Sequence, residues 1–242
     1  MVPTKGDIIS RLQKDILSLQ GFKPASLDAG TVSGLGLIKH AFPNATFPLG
    51  VVHEFFCTGA EDGSSSCGFI SGILSSLMKK GGAIIWISSS QNIFPPALKS
   101  FGIDPHRIIF IHLKKEKERL WAMEEALKCD SLSSVVGEIG QISFTESRRF
   151  QLAVEKSQVT AFLLRLNPKN FTTASVTRWK IQPLPSEQEM EIPGIGFPRW
   201  DVELLKVRNG YPGKWQMEWK SGQFQFIHQP LIVNTEAERK IV

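Results

Sequence analysis

The feature that most constrains the fold of this chain is a regular alternation of short apolar runs and longer amphipathic stretches. Apolar runs with buried character on both faces are typical of parallel strands, and the stretches between them carry apolar residues at helical spacing. Five such runs occur, at Val51–Cys57, Ala83–Ile87, Arg107–Leu113, Ser133–Gly137 and Val159–Leu166. The alternation predicts an α/β fold in which helices flank a mainly parallel sheet.

Beyond Asn167 the apolar period changes to two, which is typical of antiparallel strands with one wet face. Three segments show this pattern, at Val176–Gln182, Trp200–Leu204 and Trp215–Trp219. Asn209–Gly213 has the composition of a turn that joins the last two as a hairpin, and Ser186–Pro198 reads as a loop. We expect these strands to extend the parallel sheet.

The N-terminal segment lies outside this pattern. Apolar residues at helical spacing predict an amphipathic helix over residues 7–20, which either covers the sheet or docks on a partner. We therefore divide the chain into an N-terminal helix and linker arm (1–45), a core with its C-terminal antiparallel strands (46–220) and a C-terminal tail (221–242). The tail is apolar enough at Gly222–Val233 to add a strand, and Asn234–Val242 is expected to fray or to dock a partner.

Composition limits the class of protein. No apolar run among the 242 residues approaches the length of about 20 that spans a bilayer, and the first residues lack a secretory signal. Three cysteines, Cys57, Cys67 and Cys129, suit free thiols in a reducing cytoplasm. The net charge of +5 is spread out, and the richest basic segment, Lys114–Arg119, interleaves acids and predicts the start of a solvated helix. Charge alone leaves direct DNA binding open.

The connection after the first apolar strand, Thr58–Gly68, stands where a nucleotide-binding protein carries its phosphate loop. The pattern G-x-x-x-x-G-K-[ST] needs a lysine, but Gly63 comes one residue too early and is followed by serine. We identify Thr58, Gly59, Gly63, Ser64, Ser65 and Ser66 as a vestigial phosphate-loop region. Two interpretations stay open: the serines cap the next helix, or their backbone N–H groups bind an anion weakly at the helix start. No cofactor is predicted, although weak nucleotide binding stays open.

Two sets of segments carry a resemblance to known proteins. A Pro-x-Gly turn leads into an apolar strand around a glutamate at Phe47–Phe56, and with this entry the sequence resembles the RecA-like fold. The second set comprises Leu120–Cys129, Val135–Glu138, Thr145–Ala153, Thr177–Trp179, Pro198–Trp200 and Gly213–Trp219. With these segments the sequence resembles, more closely, the ImuA family of RecA-like accessory proteins of bacterial mutagenic translesion synthesis. This resemblance implies a three-layer RecA-like core with an N-terminal helical arm.

Active RecA-like ATPases also need a carboxylate after the second core strand and an aspartate at the end of the Walker-B strand. Here the second strand is followed by Ser88–Gln91, and the expected aspartate is Gly137. Glu138 comes one residue later and is expected on the other face of that strand. We call Gly137 and Glu138 the degenerate Walker-B region. With three charged groups missing, we predict no catalytic residues and no enzyme activity.

The resemblance implies a non-catalytic adaptor in SOS-linked, error-prone translesion DNA synthesis. Its implied partners are an ImuB-like Y-family polymerase homologue, an error-prone replicative-type DNA polymerase and RecA. Two alternatives are a residual ATPase of the RecA or KaiC type with an atypical loop, and a SulA-like inhibitor of cell division.

The remaining polar and aromatic residues suggest little further chemistry. The five histidines are scattered without metal-ligand spacing, so we predict no metal site. Four tryptophans of the C-terminal strands, Trp179, Trp200, Trp215 and Trp219, are expected to pack across strands, with partner anchoring as the alternative.

Overall fold

The computed structural model describes residues 4–19, 35–79, 81–91, 93–169, 172–186 and 196–227. Four α-helices and nine strands are present in these ranges, joined in places by short 3₁₀ turns. They are α1 Lys5–Leu19, β1 Val52–Cys57, α2 Ala60–Met78, β2 Ala83–Ser88, β3 Ile108–His112, α3 Glu116–Leu127, β4 Leu132–Glu138, α4 Phe144–Ser157, β5 Thr160–Leu166, β6 Thr177–Leu184, β7 Arg199–Val207, β8 Gly213–Lys220 and β9 Gln223–Phe226.

The strands form one mixed sheet in the order β3-β2-β4-β5-β1-β6-β7-β8-β9. Strands β1 to β6 pair in parallel, and β6 to β9 form an antiparallel extension. The predicted architecture, a mainly parallel sheet extended by C-terminal antiparallel strands, is confirmed. The parallel strands place their carboxyl ends at one edge, where ligands of open α/β sheets bind.

The sheet separates two apolar clusters. On one face α2 packs against a large cluster that includes Phe55, Phe69, Trp86 and Trp179. On the other face α3 and α4 cover a smaller cluster that includes Met123, Phe150 and Leu163. The alternation of side chains along each buried strand supplies both clusters, which gives the three-layer arrangement.

The C-terminal tryptophans are part of the first cluster. Trp179, Trp200 and Trp219 are 5% exposed or less, and Trp215 is partly buried. Trp200 and Trp219 both contact Phe101, at ring-centroid distances of 6.4 and 5.5 Å. Three of the four C-terminal tryptophans are therefore packed in the interior, as expected, and the fourth, Trp215, is partly buried. A tryptophan outside this set, Trp121 on α3, is 67% exposed.

The structure differs from the predicted domain boundaries at two places. Residues assigned to the arm, including Ile38 and Phe42, are buried in the large cluster because the short turn Gly36–Ala41 packs against the sheet. Strand β9 lies within the tail segment Gly222–Val233, where an added strand was predicted, and it pairs with β8, so the sheet continues past residue 220. The rest of the predicted tail, 228–242, and the central part of the predicted loop, 187–195, lie outside the described residues.

The predicted N-terminal helix is present as α1. Its apolar side chains Ile8, Ile9, Leu12 and Ile16 remain 46–55% exposed, so among the described residues they are not covered by the sheet. No helix within the described ranges combines the length and the apolar character that crossing a membrane requires.

Candidate functional site

The candidate site begins at the junction of β1 and α2, where the sequence predicted a vestigial phosphate loop. Only Thr58 and Gly59 separate the two elements, because β1 ends at Cys57 and α2 begins at Ala60. Gly59 is the residue before the helix, in an extended conformation, and the Gly63 N–H donates to its carbonyl oxygen at 3.1 Å. A connection of two residues is too short to wrap a phosphate group in successive backbone N–H groups.

This placement corrects the predicted role of the serines. Ser64, Ser65 and Ser66 lie inside α2, so they neither cap the helix nor precede it. The Ser64 hydroxyl donates to the carbonyl oxygen of Ala60 at 3.0 Å, and Ser66 accepts a weak hydrogen bond from the Cys57 thiol at 3.5 Å. The prediction was wrong because small polar residues favour both loops and buried, closely packed helix positions, and the sequence does not separate the two.

The first turn of α2 carries two acidic side chains, Glu61 and Asp62. Asp62 is 5% exposed, and its Oδ2 accepts hydrogen bonds from the Thr58 backbone N–H at 2.9 Å and the Thr58 hydroxyl at 2.6 Å. Glu61 adds a second acid in the same turn. Two carboxylates stabilise the helix dipole and repel a phosphate group at that position.

Glu138 lies on the face of the sheet that carries this junction. Strand β4 directs Gly137 toward α3, where an added Cβ would lie 2.7 Å from the Met123 sulfur, so Glu138 projects to the α2 side. Its Oε2 accepts from the Ser89 N–H and hydroxyl at 3.0 and 3.1 Å. As expected, Glu138 lies on the face opposite the aspartate position, Gly137, and this face borders the candidate site.

A cavity of about 730 Å³ lies between α2, the 3₁₀ turn Pro95–Phe101 and the start of β7. Its floor and walls are mainly apolar and aromatic, and they include Trp86, Phe94, Phe101, Leu164, Phe197 and Trp200. The cavity also includes Gly63, Ser64 and Ser65 of the predicted vestigial region, together with Glu138. Thr58 and Gly59 are not among its lining residues. The structure thus brings half of the predicted loop residues together with one of the two predicted Walker-B residues.

Comparison with known proteins assigns the chain to a family. The chain is 33% identical over 194 residues to Protein ImuA of two Caulobacter vibrioides strains, NA1000 / CB15N and ATCC 19089 / CIP 103742 / CB 15. Each match covers 75% of this chain and 80% of the relative. The chain belongs to the ImuA family.

The fold of this ImuA-family chain is also found in a recombinase. The crystal structure of the RadB recombinase superposes with a TM-score of 0.55 and covers 83% of this chain and 100% of its own, at 12% sequence identity. This match shows the RecA-like fold that the sequence predicted. No protein-family model matches the sequence.

Arg119 is a buried residue near this site that sequence analysis missed. We predicted a solvated helix start at Lys114–Arg119, but Arg119 is only 9% exposed. Its guanidinium donates to the carbonyl oxygens of Leu113 and Lys114 and, at 2.8 Å, to that of Glu138. Arg119 therefore fixes the end of β4 to the connection that follows β3. The basic run Lys114–Arg119 has no helical period, so the sequence does not indicate that the Arg119 side chain is buried.

A buried ionic cluster centred on Glu54 was also missed. Glu54 accepts hydrogen bonds from Arg165 at 2.6 Å and Arg178 at 3.0 Å, and from the hydroxyls of Thr173 and Ser175. Glu54 and Arg165 are fully buried. The cluster ties β1 to both of its neighbours, β5 and β6. The signal in the sequence is a glutamate within an otherwise apolar strand, because a buried charge requires a partner.

The two cysteine thiols near the site, Cys57 and Cys67, are held in the neutral form. Burial raises the pKa of the Cys57 thiol to about 11, and burial followed by the charge of Glu138 raises the pKa of Cys67. Neither thiol is therefore a nucleophile at neutral pH. Within the described residues, no group of three or more histidine, cysteine or acidic side chains is placed to hold a metal ion.

Proposed function

We propose that this chain is a non-catalytic, RecA-like adaptor of SOS-linked, error-prone translesion DNA synthesis in the cytoplasm, acting through protein–protein contacts. Its proposed partners are an ImuB-like Y-family polymerase homologue, an error-prone replicative-type polymerase and RecA. Membership of the ImuA family supports the assignment to this system.

The observation that carries the non-catalytic part is the Asp62 carboxylate at the start of α2. A RecA-like ATPase needs that helix start, with a lysine, for phosphates. Here a two-residue connection replaces the loop, and the carboxylate accepts two hydrogen bonds from Thr58 where an anion would approach. We expect that the RecA-like fold serves to present surfaces that bind partner proteins, and that it does not bind a nucleotide.

A residual ATPase is the second candidate, because one observation favours it. Glu138 faces the cavity at the carboxyl ends of the strands, where a carboxylate can orient water. A turnover of ATP that disappears in Glu138→Gln would establish this activity. Among the described residues, no lysine or arginine borders the cavity except Arg199, which pairs with Glu218 at 3.0 Å, so we rank the adaptor first.

The adaptor proposal is tested by mixing the purified chain with its cognate ImuB-like protein and, separately, with cognate RecA, each with and without MgATP. We expect a complex on size-exclusion chromatography with at least one of them, of equal affinity in both nucleotide conditions. Loss of the complex when nucleotide is omitted, or no complex with either protein, contradicts the proposal.

Helix α1 offers a matched pair of variants for the same assay. Leu12 lies on the exposed apolar stripe and Arg11 lies beside it on the same helix. If α1 docks on a partner, Leu12→Ala weakens the complex by about ten-fold or more, while Arg11→Ala changes it little. Equal effects of the two substitutions show that the stripe does not carry the contact.

A further inference from the structure

The cavity beside α2 contains a buried hydrogen-bond donor that no protein atom satisfies. Trp86 is fully buried and lines the cavity, and its indole Nε1–H has no acceptor among the described residues. Buried tryptophan N–H groups normally have a partner, because an unpaired one has lost its hydrogen bond to water. An occupant of the cavity that reached Trp86 would supply the missing partner.

A second polar group stands on the same face of the sheet as Trp86. Trp86 pairs with Val136, and Glu138 is two residues farther along β4, so both side chains project toward α2. Adjacent strand spacing and two residues of rise place their Cα atoms roughly 8 Å apart. Oε1 of Glu138 accepts no hydrogen bond within the described part of the chain, because Ser89 binds only Oε2.

The walls between these two groups are aromatic and aliphatic. Phe94, Phe101 and Trp200 line one side, and Leu164, which pairs with Glu138, lines the sheet side. A volume of about 730 Å³ lies within the roughly 300–1,000 Å³ range of sites for small molecules. The charge of the Arg199 side chain is balanced by Glu218, so among the described lining residues the unbalanced charge is that of Glu138.

We propose that this cavity is a binding site for a small aromatic amine. The rings would fill the apolar walls and offer a π-face to the Trp86 N–H, while the ammonium group would donate to Glu138. Anionic ligands, nucleotides among them, are disfavoured by Glu138 and by the acids at the start of α2. This proposal does not depend on the protein contacts proposed above.

The test compares two probes of the same ring and opposite charge, tryptamine and indole-3-acetate. Each is titrated to several millimolar into the full chain, labelled with ¹⁵N, and the tryptophan indole N–H signals are followed by NMR. The Trp86 signal is assigned with Trp86→Phe. We expect tryptamine to shift it saturably and to bind about ten-fold more tightly than indole-3-acetate.

Two variants make the test specific. Glu138→Gln should reduce the preference for tryptamine to two-fold or less, since it removes the charge and keeps the shape. Trp121→Phe, at an exposed position on α3, should leave tryptamine binding unchanged. An unshifted Trp86 signal in the folded wild-type chain overturns the proposal. Equal affinity for the two probes, or a preference that persists in Glu138→Gln, overturns it as well.

Discussion

Asp62 supports the proposed non-catalytic role more directly than any other residue. In the sequence it is one of two adjacent acids in a glycine- and serine-rich segment. In the fold it is the third residue of α2, buried, and bonded to both the backbone and the hydroxyl of Thr58. A carboxylate in the first helical turn is stabilised by the helix dipole, as a bound phosphate would be. The negative charge of Asp62 therefore lies in the first turn of α2, close to where a phosphate group would approach the helix start.

His53 provides a prediction that is independent of function. It is fully buried between the rings of Phe47 and Phe162 and bonded to Thr177, and burial lowers its pKa from 6.5 to about 3. The unfolded chain binds the proton more readily, so stability is fully present above pH 6.5 and falls as the pH drops toward 3. The slope contributed by His53 approaches about 1.4 kcal/mol per pH unit.

Urea unfolding between pH 5 and 6.5 measures this slope. We expect wild-type protein to lose stability with acid more steeply than His53→Gln. His106→Gln, at an exposed position, should keep the wild-type slope. Identical slopes in wild type and His53→Gln would show that His53 is not buried in the neutral form.

At the scale of elements, α2 explains why the predicted loop was misplaced. Glycine, serine and acids over Gly59–Gly68 favour a loop by composition, yet α2 runs through them. Tertiary contacts override propensity here, because Gly68 and Gly72 have no side chain and so allow Trp200, Trp219 and Phe224 to lie against the helix. The predicted bounds of the strands, in contrast, agree with the observed bounds to within a few residues, because a long apolar run is stable only when it is buried.

Two glycines in α2 give opposite predictions for the same substitution. At Gly63 an added Cβ would meet only Leu166, at 3.4 Å, so Gly63→Ala should stabilise the protein by roughly 0.5–1 kcal/mol through helix propensity. At Gly72 the Cβ would lie 2.8 Å from Trp219 and closer to Phe224, and both rings are held by Phe69 or Phe101. Gly72→Ala should therefore cost roughly 1–3 kcal/mol.

Thermal and urea unfolding of the two variants measure these changes. A loss of stability in Gly63→Ala would mean that Gly63 has the special backbone of a phosphate loop, contrary to its position within α2. Unchanged or raised stability in Gly72→Ala would contradict the close packing of β8 and β9 on this helix.

At the scale of the whole molecule, the sequence predicted the fold well and the site only in part. The order of apolar runs determined the mainly parallel sheet and its antiparallel extension. The inward turn of Arg119, the partners of Glu54 and the cavity-facing side of Glu138 depend on contacts between residues far apart in the chain. Those contacts arise from the three-dimensional arrangement of strands and helices, which the pattern within a single segment does not specify.

At this scale the chain combines a RecA-like fold with two acidic residues in the first turn of α2, where we propose that no nucleotide binds. The most direct measurement is calorimetric titration of MgATP, to several millimolar, into the purified chain. We predict no saturable heat. Saturable binding of MgATP with a defined stoichiometry would contradict the account and establish a nucleotide-binding protein.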